Sequence, residues 1–240
     1  MFAITHPDEQ RRLATLRGYG LPEVVKGAEF DDIVNLASQI CEAPVSLMSL
    51  VEVDRQWFAA TCGTELTETT LDKSVCSHAI LDDEITEIPD TLLDPRTADK
   101  PLCHDGTDMR FYAGAPLVAP DGMPIGTLCV LDTKPRRLTP LQRETLRVLG
   151  RQVVAQLELR RNVALGDVLR REMDHRVKNS LTMVGSLVRM YRRTAQTPEA
   201  EAAFDAVERR LSAISSLHRE LHSTSQEDRV PLKSFLGRVL

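Results

Sequence analysis

The chain has 240 residues, 42% of them hydrophobic, with 30 lysines and arginines against 35 aspartates and glutamates and a net charge of −5. That is room for one globular domain of ~150 residues plus an appendage. No run approaches ~18 consecutive apolar residues, so no membrane span is expected, and the start M-F-A-I-T-H-P-D-E lacks the basic and apolar regions of a signal peptide; together these point to the cytoplasm.

In chain order, A-E-F-D-D-I-V-N-L-A-S-Q-I-C predicts a helix from residue 28, with Phe30, Ile33, Val34, Ala37 and Ile40 on one face. P-V-S-L-M-S-L-V (44–51) and R-Q-W-F-A-A-T (55–61) read as adjacent strands around the turn E-V-D. Segments 113–118 and 125–132 flank P-D-G-M-P, a hairpin signal with Asp121 and Gly122 at its tip. Thr139, Pro140 and Gln142 supply a cap, a first-turn proline and a capping-box amide for a helix running to about Arg160 or beyond. Helices and strands thus alternate over residues 28–160 as in a mixed α+β domain.

The five cysteines, Cys41, Cys62, Cys76, Cys103 and Cys129, are odd in number and form no C-x-x-C pair, so free thiols are expected, several of them in the core. Cys76 with His78, and Cys103 with His104, belong to no four-ligand set at zinc spacing, and no metal is expected.

Further on, Leu165, Leu169 and Met173 step by four into Val177, Leu181, Val184, Val188 and Tyr191, which recur at spacings of 4, 3, 4 and 3. At ~100° per residue, His175 lies ~200° from both Met173 and Val177, pointing away from that seam. Glu172, Asn179 and Thr182 share its outward stripe. An imidazole held in the open beside carboxylates and an amide suits a phosphate acceptor; a plain surface histidine on a coiled-coil hairpin fits the spacing equally well. A second helix follows, with Thr197 as cap, Pro198 as first residue and Glu199 and Glu201 complementing its dipole. It carries Phe204, Val207, Leu211, Ile214 and Leu221, supported by Ala200 and Leu217. The link is short, so the two helices should be antiparallel neighbours. One apolar stripe per helix is too little to bury alone, and pairing with a second copy into a four-helix bundle is the expected remedy. An unbroken helix over residues 139–193 would be ~80 Å long; Gly150 and Gly166 each weaken it by ~1 kcal/mol relative to alanine, with Gly166 the better site for a kink.

Charge is uneven. Residues 1–135 carry 23 acids against 10 bases, residues 138–193 carry 12 bases against 5 acids. No aromatic interleaving or helix-turn-helix spacing accompanies the basic stretch, so nucleic acid is not expected as a partner.

Two resemblances follow from the motifs. S-V-C-S-H-A-I-L (74–81), D-P-R-T-A-D (94–99) and R-F-Y-A-G-A-P-L…P-D-G…I-G-T-L-C-V-L-D (110–132) resemble a GAF domain over roughly residues 20–160. That implies an antiparallel sheet flanked by helices. The ligand stays open, since GAF domains bind cyclic nucleotides, haem, bilins, small metabolites or nothing. Trp57, Phe58, Cys76, His78, Phe111 and Tyr112 are the pocket candidates, with core packing the commoner role for each. Cys103-His104 imitates a bilin-attachment dipeptide but lacks the surrounding phytochrome pattern, and the cysteines are read as structural thiols rather than as those of GAF-based methionine sulfoxide reductases.

H-R-V-K-N-S-L (175–181) and R-L-S-A-I-S-S-L-H-R-E-L (210–221) resemble the dimerisation and phosphoacceptor domain of sensor histidine kinases of the HWE and related H-R-x-K-N type, over about residues 165–236. The resemblance implies that His175 accepts the γ-phosphoryl of ATP and passes it to an aspartate on a response-regulator receiver domain, whose acidic pocket suits the basic segment. In the larger kinase class an acid directly follows the histidine; here that residue is Arg176, so Asp174 or Glu172 is the candidate base, Asp174 preferred, with Asn179 orienting water or phosphate. ATP and Mg²⁺ would be held by a further domain, to which V-P-L-K-S-F-L-G-R-V-L (230–240) resembles the lead-in. The expected organisation is an extension over 1–19, a GAF sensor over 20–160, a phosphotransfer hairpin over 161–224 and the lead-in over 225–240, inactive with ATP by itself. A phosphotransfer or scaffold protein without its own kinase domain, and a non-catalytic GAF dimerisation module, are the alternatives. A homodimer is expected; some kinases of this branch are monomers, with the sensor covering the apolar stripe.

Overall fold

The computed structural model describes residues 5–20, 27–104 and 108–223; the lead-in expected over 225–240 lies outside them, as do the side chains of Leu221 and His222. The chain falls into two units, residues 1–163 and 164–240. In order, the elements are α1 (Glu9–Arg17), α2 (Ala28–Cys41), β1 (Val45–Val51), β2 (Arg55–Cys62), β3 (Glu68–Thr70), α3 (Cys76–Ala79), β4 (Thr86–Ile88), a single 3₁₀ turn (Pro101–Cys103), β5 (Phe111–Val118), β6 (Pro124–Asp132), α4 (Pro140–Arg192) and α5 (Pro198–Ser223).

The first unit is built on an antiparallel sheet in the order β3-β2-β1-β6-β5-β4. Both faces are covered, so the central strands β1 and β6 are buried at every position. Successive side chains point to opposite faces, which separates two cores. Met48, Leu50, Trp57, Phe111, Leu128 and Val130 pack under Phe30, Val34 and Ala37 of α2, Leu16 of α1, and Leu146, Val153 and Leu157 of α4. Val45, Leu47, Phe58, Tyr112, Cys129 and Leu131 face the other way, against Val75, Cys76, Ala79 and Ile80 around α3.

Helix α2 buries Phe30, Val34, Ala37 and Cys41, an i, i+4, i+7, i+11 stripe. Fully burying a side chain such as Phe30 or Val34 contributes roughly 1.5–3 kcal/mol. Ile33 and Ile40, expected on that stripe, are half-buried at its margins. The helix stops where Glu42 turns left-handed, at φ 51°, and the Ala43 N–H donates back to the Ser38 carbonyl. Pro44 then prevents continuation.

The hairpin between β5 and β6 closes at Asp121-Gly122, with Gly122 at φ 85°, a conformation that glycine adopts without strain. Helix α1 clasps it. Arg11 donates to the Asp121 carbonyl, and the buried Arg12 donates to both Glu9 carboxylate oxygens and to the Val51 carbonyl. Sequence patterning gave α1 no signal, because its buried contacts come from an arginine and a few leucines rather than from a full apolar stripe.

The start of α4 is the reciprocal cap expected from its residues. The Thr139 N–H donates to Gln142 Oε1 at 3.0 Å, and the Gln142 N–H donates to Thr139 Oγ1 at 3.2 Å. Gln142 also donates to the Ile40 carbonyl, tying the cap to α2. Thr139→Ala should therefore lower the stability of the first unit by about 1 kcal/mol, read as a shift in its urea midpoint at unchanged m-value. At residues 158–161 the same helix is held by the turn after α1 and by α2: Tyr19 donates to Glu158, Arg161 lies over the Tyr19 ring, and Arg160 lies over Phe30 and pairs with Glu29.

Helix assignment continues through Gly150 and Gly166 without a break. At Gly166 a Cβ would meet nothing within 4 Å, so no neighbour demands glycine there.

In the second unit, α4 from residue 164 onward and α5 form an antiparallel hairpin. Arg192 pairs with Asp205 at 2.7 Å and Arg189 with Glu208 at 3.5 Å, so partners run in opposite directions along the chain. Thr197 caps α5 through the Ala200 N–H, at 3.3 Å. Contact between the helices centres on Gly185, whose missing Cβ would stand 3.2 Å from Leu211 Cδ2. Half-buried Leu181 and Val188 flank it, with Phe204 and Leu211 half-buried on α5. The rest of the expected seam is exposed: Val177, Val184 and Tyr191 on α4, Val207 and Ile214 on α5. The reason is geometric, since at ~100° per residue Tyr191 has drifted ~80° around the helix from Leu181.

Candidate functional site

Two places carry chemistry, one in each unit. In the first, a cavity of about 600 Å³ opens between the sheet and the segment around α3. Its floor is the sheet face bearing Val45, Leu47, Gln56, Phe58, Tyr112, Cys129 and Leu131; Val75, Cys76, Leu102 and Met109 wall it. Exposed Leu66, Glu68 and Lys73 stand at its rim. The floor is largely apolar with a satisfied polar spot: Gln56 accepts from Ser49 at 3.2 Å and from Ser74, and donates to Thr69 at 2.8 Å. At the mouth Arg55 is tied to Glu52 and Glu68, whose carboxylates raise its pKa further.

Of the pocket candidates, Phe58, Cys76 and Tyr112 line this cavity and Trp57, Phe111 and His78 do not. Trp57 and Phe111 belong to the opposite core. Each is followed by an aromatic that faces the other way: Phe58 and Tyr112 take the cavity side. A strand's side chains alternate, so with both sheet faces buried only the register could say which of two adjacent aromatics faces the cavity. His78, on α3, is half-buried beside the wall. Gln56, Cys129 and Leu131 line the cavity without having been expected there; the signal available was their period-two relation to Phe58 and to one another. Cys103 of the imitated bilin dipeptide is buried, with its thiol on the Thr97 carbonyl at 3.3 Å.

A second cavity, of about 380 Å³, lies among Asp83, Glu84, Pro116, Arg147 and Arg151. Among the described residues no group of three or more histidine, cysteine or acidic side chains is placed to hold a metal, and no helix is long and apolar enough to cross a membrane.

In the second unit His175 sits within α4 and is exposed, as are Met173 and Val177 about 200° around the helix from it. Asn179 and Thr182 are exposed on the same stripe, the Thr182 hydroxyl donating to the Lys178 carbonyl at 2.9 Å. The two carboxylates beside the histidine differ. Glu172 accepts from Arg176 Nε at 2.8 Å, and that bond, with the guanidinium charge and a smaller effect of His175, holds its pKa below the ordinary glutamate value. Asp174 is half-buried and turned toward the side of the helix that His175 avoids. His218 on α5 is half-buried.

Residues 27–157 match the GAF domain family and residues 172–240 match a histidine kinase family, HisKA_2. The chain belongs to the GAF family. With its HisKA_2 segment following the GAF domain, it has the arrangement of a sensor histidine kinase of the H-R-x-K-N type. Sensor histidine kinase PdtaS of Mycobacterium tuberculosis is 40% identical over 75 residues, 31% of this chain and 15% of that protein. The cyclic di-GMP phosphodiesterase PA2567 of Pseudomonas aeruginosa is 38% identical over 129 residues, 54% of this chain and 22% of that protein. This chain thus spans under a quarter of the length of either relative. Among solved structures, the GAF domain of a phosphoenolpyruvate-protein phosphotransferase from Coxiella burnetii superposes with a TM-score of 0.50 at 13% identity, covering 65% of this chain and 96% of that one. This likeness bears on the fold alone.

Proposed function

We propose that these residues are the sensor and phosphoacceptor portion of a cytoplasmic two-component histidine kinase, in which His175 takes the γ-phosphoryl group of ATP and hands it to an aspartate of a response-regulator receiver domain. The observation that carries this reading is an exposed histidine, free of the hairpin's packed seam, inside the segment that matches a histidine kinase family. One imidazole nitrogen attacks the phosphorus; the other carries a proton whose charge a carboxylate stabilises as the bond forms. Asp174, which adjoins the histidine in the chain, is the candidate base in this reading, with Glu172, paired with Arg176, the alternative. Asn179, one turn on, orients phosphate or water. In this reading ATP and its Mg²⁺ enter as substrate on a separate ATP-binding domain.

Assembly supports the same reading. Leu169, Met173, Val177, Val184, Leu187 and Tyr191 are between 39% and 66% exposed and form an apolar strip along the helix of the acceptor. A strip of that length in water is an association surface, and in this reading a second copy covers it to complete a four-helix bundle. Light scattering at micromolar concentration should give the mass of a dimer. A monomeric mass would refute the bundle and make the sensor the cover.

The reading is tested by mixing the 240-residue chain with the ATP-binding domain of an H-R-x-K-N kinase and radiolabelled ATP. Acid-labile, base-stable label on the chain is expected, and its transfer to a receiver domain in a second step. Label that never forms would leave a GAF module that only dimerises; label accepted from a foreign kinase but never from a domain encoded in the same gene would favour the phosphotransfer-protein alternative.

A further inference from the structure

Cys76 and Cys129 are 53 positions apart, yet their sulfurs lie 3.8 Å from each other. Cys129 is on the cavity face of β6 and Cys76 opens α3, which lies over that face; both line the 600 Å³ cavity. The Tyr112 hydroxyl, from the neighbouring strand β5, donates to Cys76 Sγ at 3.5 Å. Two residues before Cys129, on the same face of β6, the fully buried Thr127 hydroxyl stands beside both thiols. The other buried thiols, Cys41 and Cys103, are turned to backbone carbonyls.

We propose that Cys76 and Cys129 are a peroxide-oxidisable dithiol that closes to an intramolecular disulfide in the wall of the sensor cavity. The Cys76 thiolate attacks one oxygen of a hydroperoxide; a sulfur–oxygen bond forms, the oxygen–oxygen bond breaks, and the departing oxygen takes a proton and leaves as water or an alcohol. Cys76 has then lost two electrons and is a sulfenic acid, its oxygen within the same polar corner as Thr127 and Tyr112. The Cys129 sulfur attacks Cys76, the sulfur–sulfur bond replaces the sulfur–oxygen bond, and hydroxide leaves with the Cys129 proton as a second water. A disulfide spans about 2.05 Å, so the two sulfurs need to close by less than ~2 Å.

The Tyr112 hydroxyl, donating to its sulfur, marks Cys76 as the thiol that reacts first. The adjacent Cys129 thiol and neighbouring hydroxyls hold the Cys76 pKa below the ordinary thiol value against the opposing effect of burial. The pKa of Cys129, fully buried against the Cys76 sulfur, moves well up. The thiolate is the attacking species in oxidation. Oxidised, the pair would tie α3 to β6 across the cavity. The proposal rests on thiol chemistry and stands apart from the kinase reading.

The test uses the whole 240-residue chain, reduced, desalted, and treated with one to a few equivalents of hydrogen peroxide before the remaining thiols are alkylated. Expected is the loss of two hydrogens from the intact mass, reversed by dithiothreitol, and a non-reducing peptide map joining the Cys76 and Cys129 peptides. In Cys129→Ser, dimedone should instead trap a sulfenic acid at Cys76, giving at least tenfold more adduct there than in the wild type. No bridged peptide in the wild type, or oxidation that begins at Cys62 or links two chains, would overturn the proposal. The wild-type map decides whether or not the variant folds.

Discussion

Replacing His175 by alanine should abolish phosphoryl labelling of the chain by an ATP-binding domain supplied in trans. The effect is expected to be total because no other group on that stripe can form the same bond. Glu172 and Asp174 would give acyl phosphates, which are labile to base as well as acid, and Asn179 and Thr182 are not nucleophiles of this kind. The substitution should leave the helix intact: position 175 is exposed, and alanine is the best helix former. Unchanged circular dichroism would therefore assign the loss to chemistry. His218→Ala and His222→Ala serve as controls and should keep the label, the former because its ring is half-buried on the opposing helix. Acid-labile, base-stable label that survived in His175→Ala would remove the histidine from its role.

Asp174→Asn should slow phosphorylation by ~10²-fold, the lower end of what a positioned base contributes. The amide keeps the size of the carboxylate and deletes the charge that stabilises the imidazole proton while phosphorus is attacked. Glu172→Gln is the contrasting case. Its carboxylate is already committed to Arg176 and depressed in pKa, so the rate should change only a few-fold. Single-turnover rates with saturating ATP-binding domain separate the two, because binding of that domain then no longer limits. A full rate in Asp174→Asn would pass the role to Glu172 or to the ATP-binding domain.

Local signals in these residues anticipated much of the fold, and for local reasons. Asp121-Gly122 closes the hairpin because glycine accepts φ 85°. Thr139 with Gln142, and Thr197 before Pro198, start helices because their side chains satisfy backbone N–H groups that no turn of helix can reach. The strand pairs around residues 52–54 and 119–123 announced themselves as apolar runs broken by turn residues. The short strands β3 and β4 did not, being three residues each, with their strand conformation imposed by β2 and β5 alongside. Helix α1 likewise acquires its place from Arg12, whose partner Val51 is brought to it only by the folded sheet, while Glu9 lies one turn away in the same helix.

The candidate sites divide the same way. The side of the helix on which His175 stands was legible because an α-helix repeats on itself: spacing along the chain alone sets the angle between a histidine and a row of apolar residues, and that row could be counted. The sensor cavity was not. Trp57 and Phe58, or Phe111 and Tyr112, are neighbours of nearly equal character, and which of each pair meets the cavity depends on strand register and on what covers each face of a sheet buried on both sides. Cys76 and Cys129 show this most plainly. Each is an ordinary buried-looking cysteine in its own segment, and their encounter at 3.8 Å exists only because β6 lies at the centre of the sheet and α3 folds back over it. Periodicity and capping are properties of a few consecutive residues, whereas cavities and thiol pairs arise from contacts between distant ones, which the tertiary fold alone supplies.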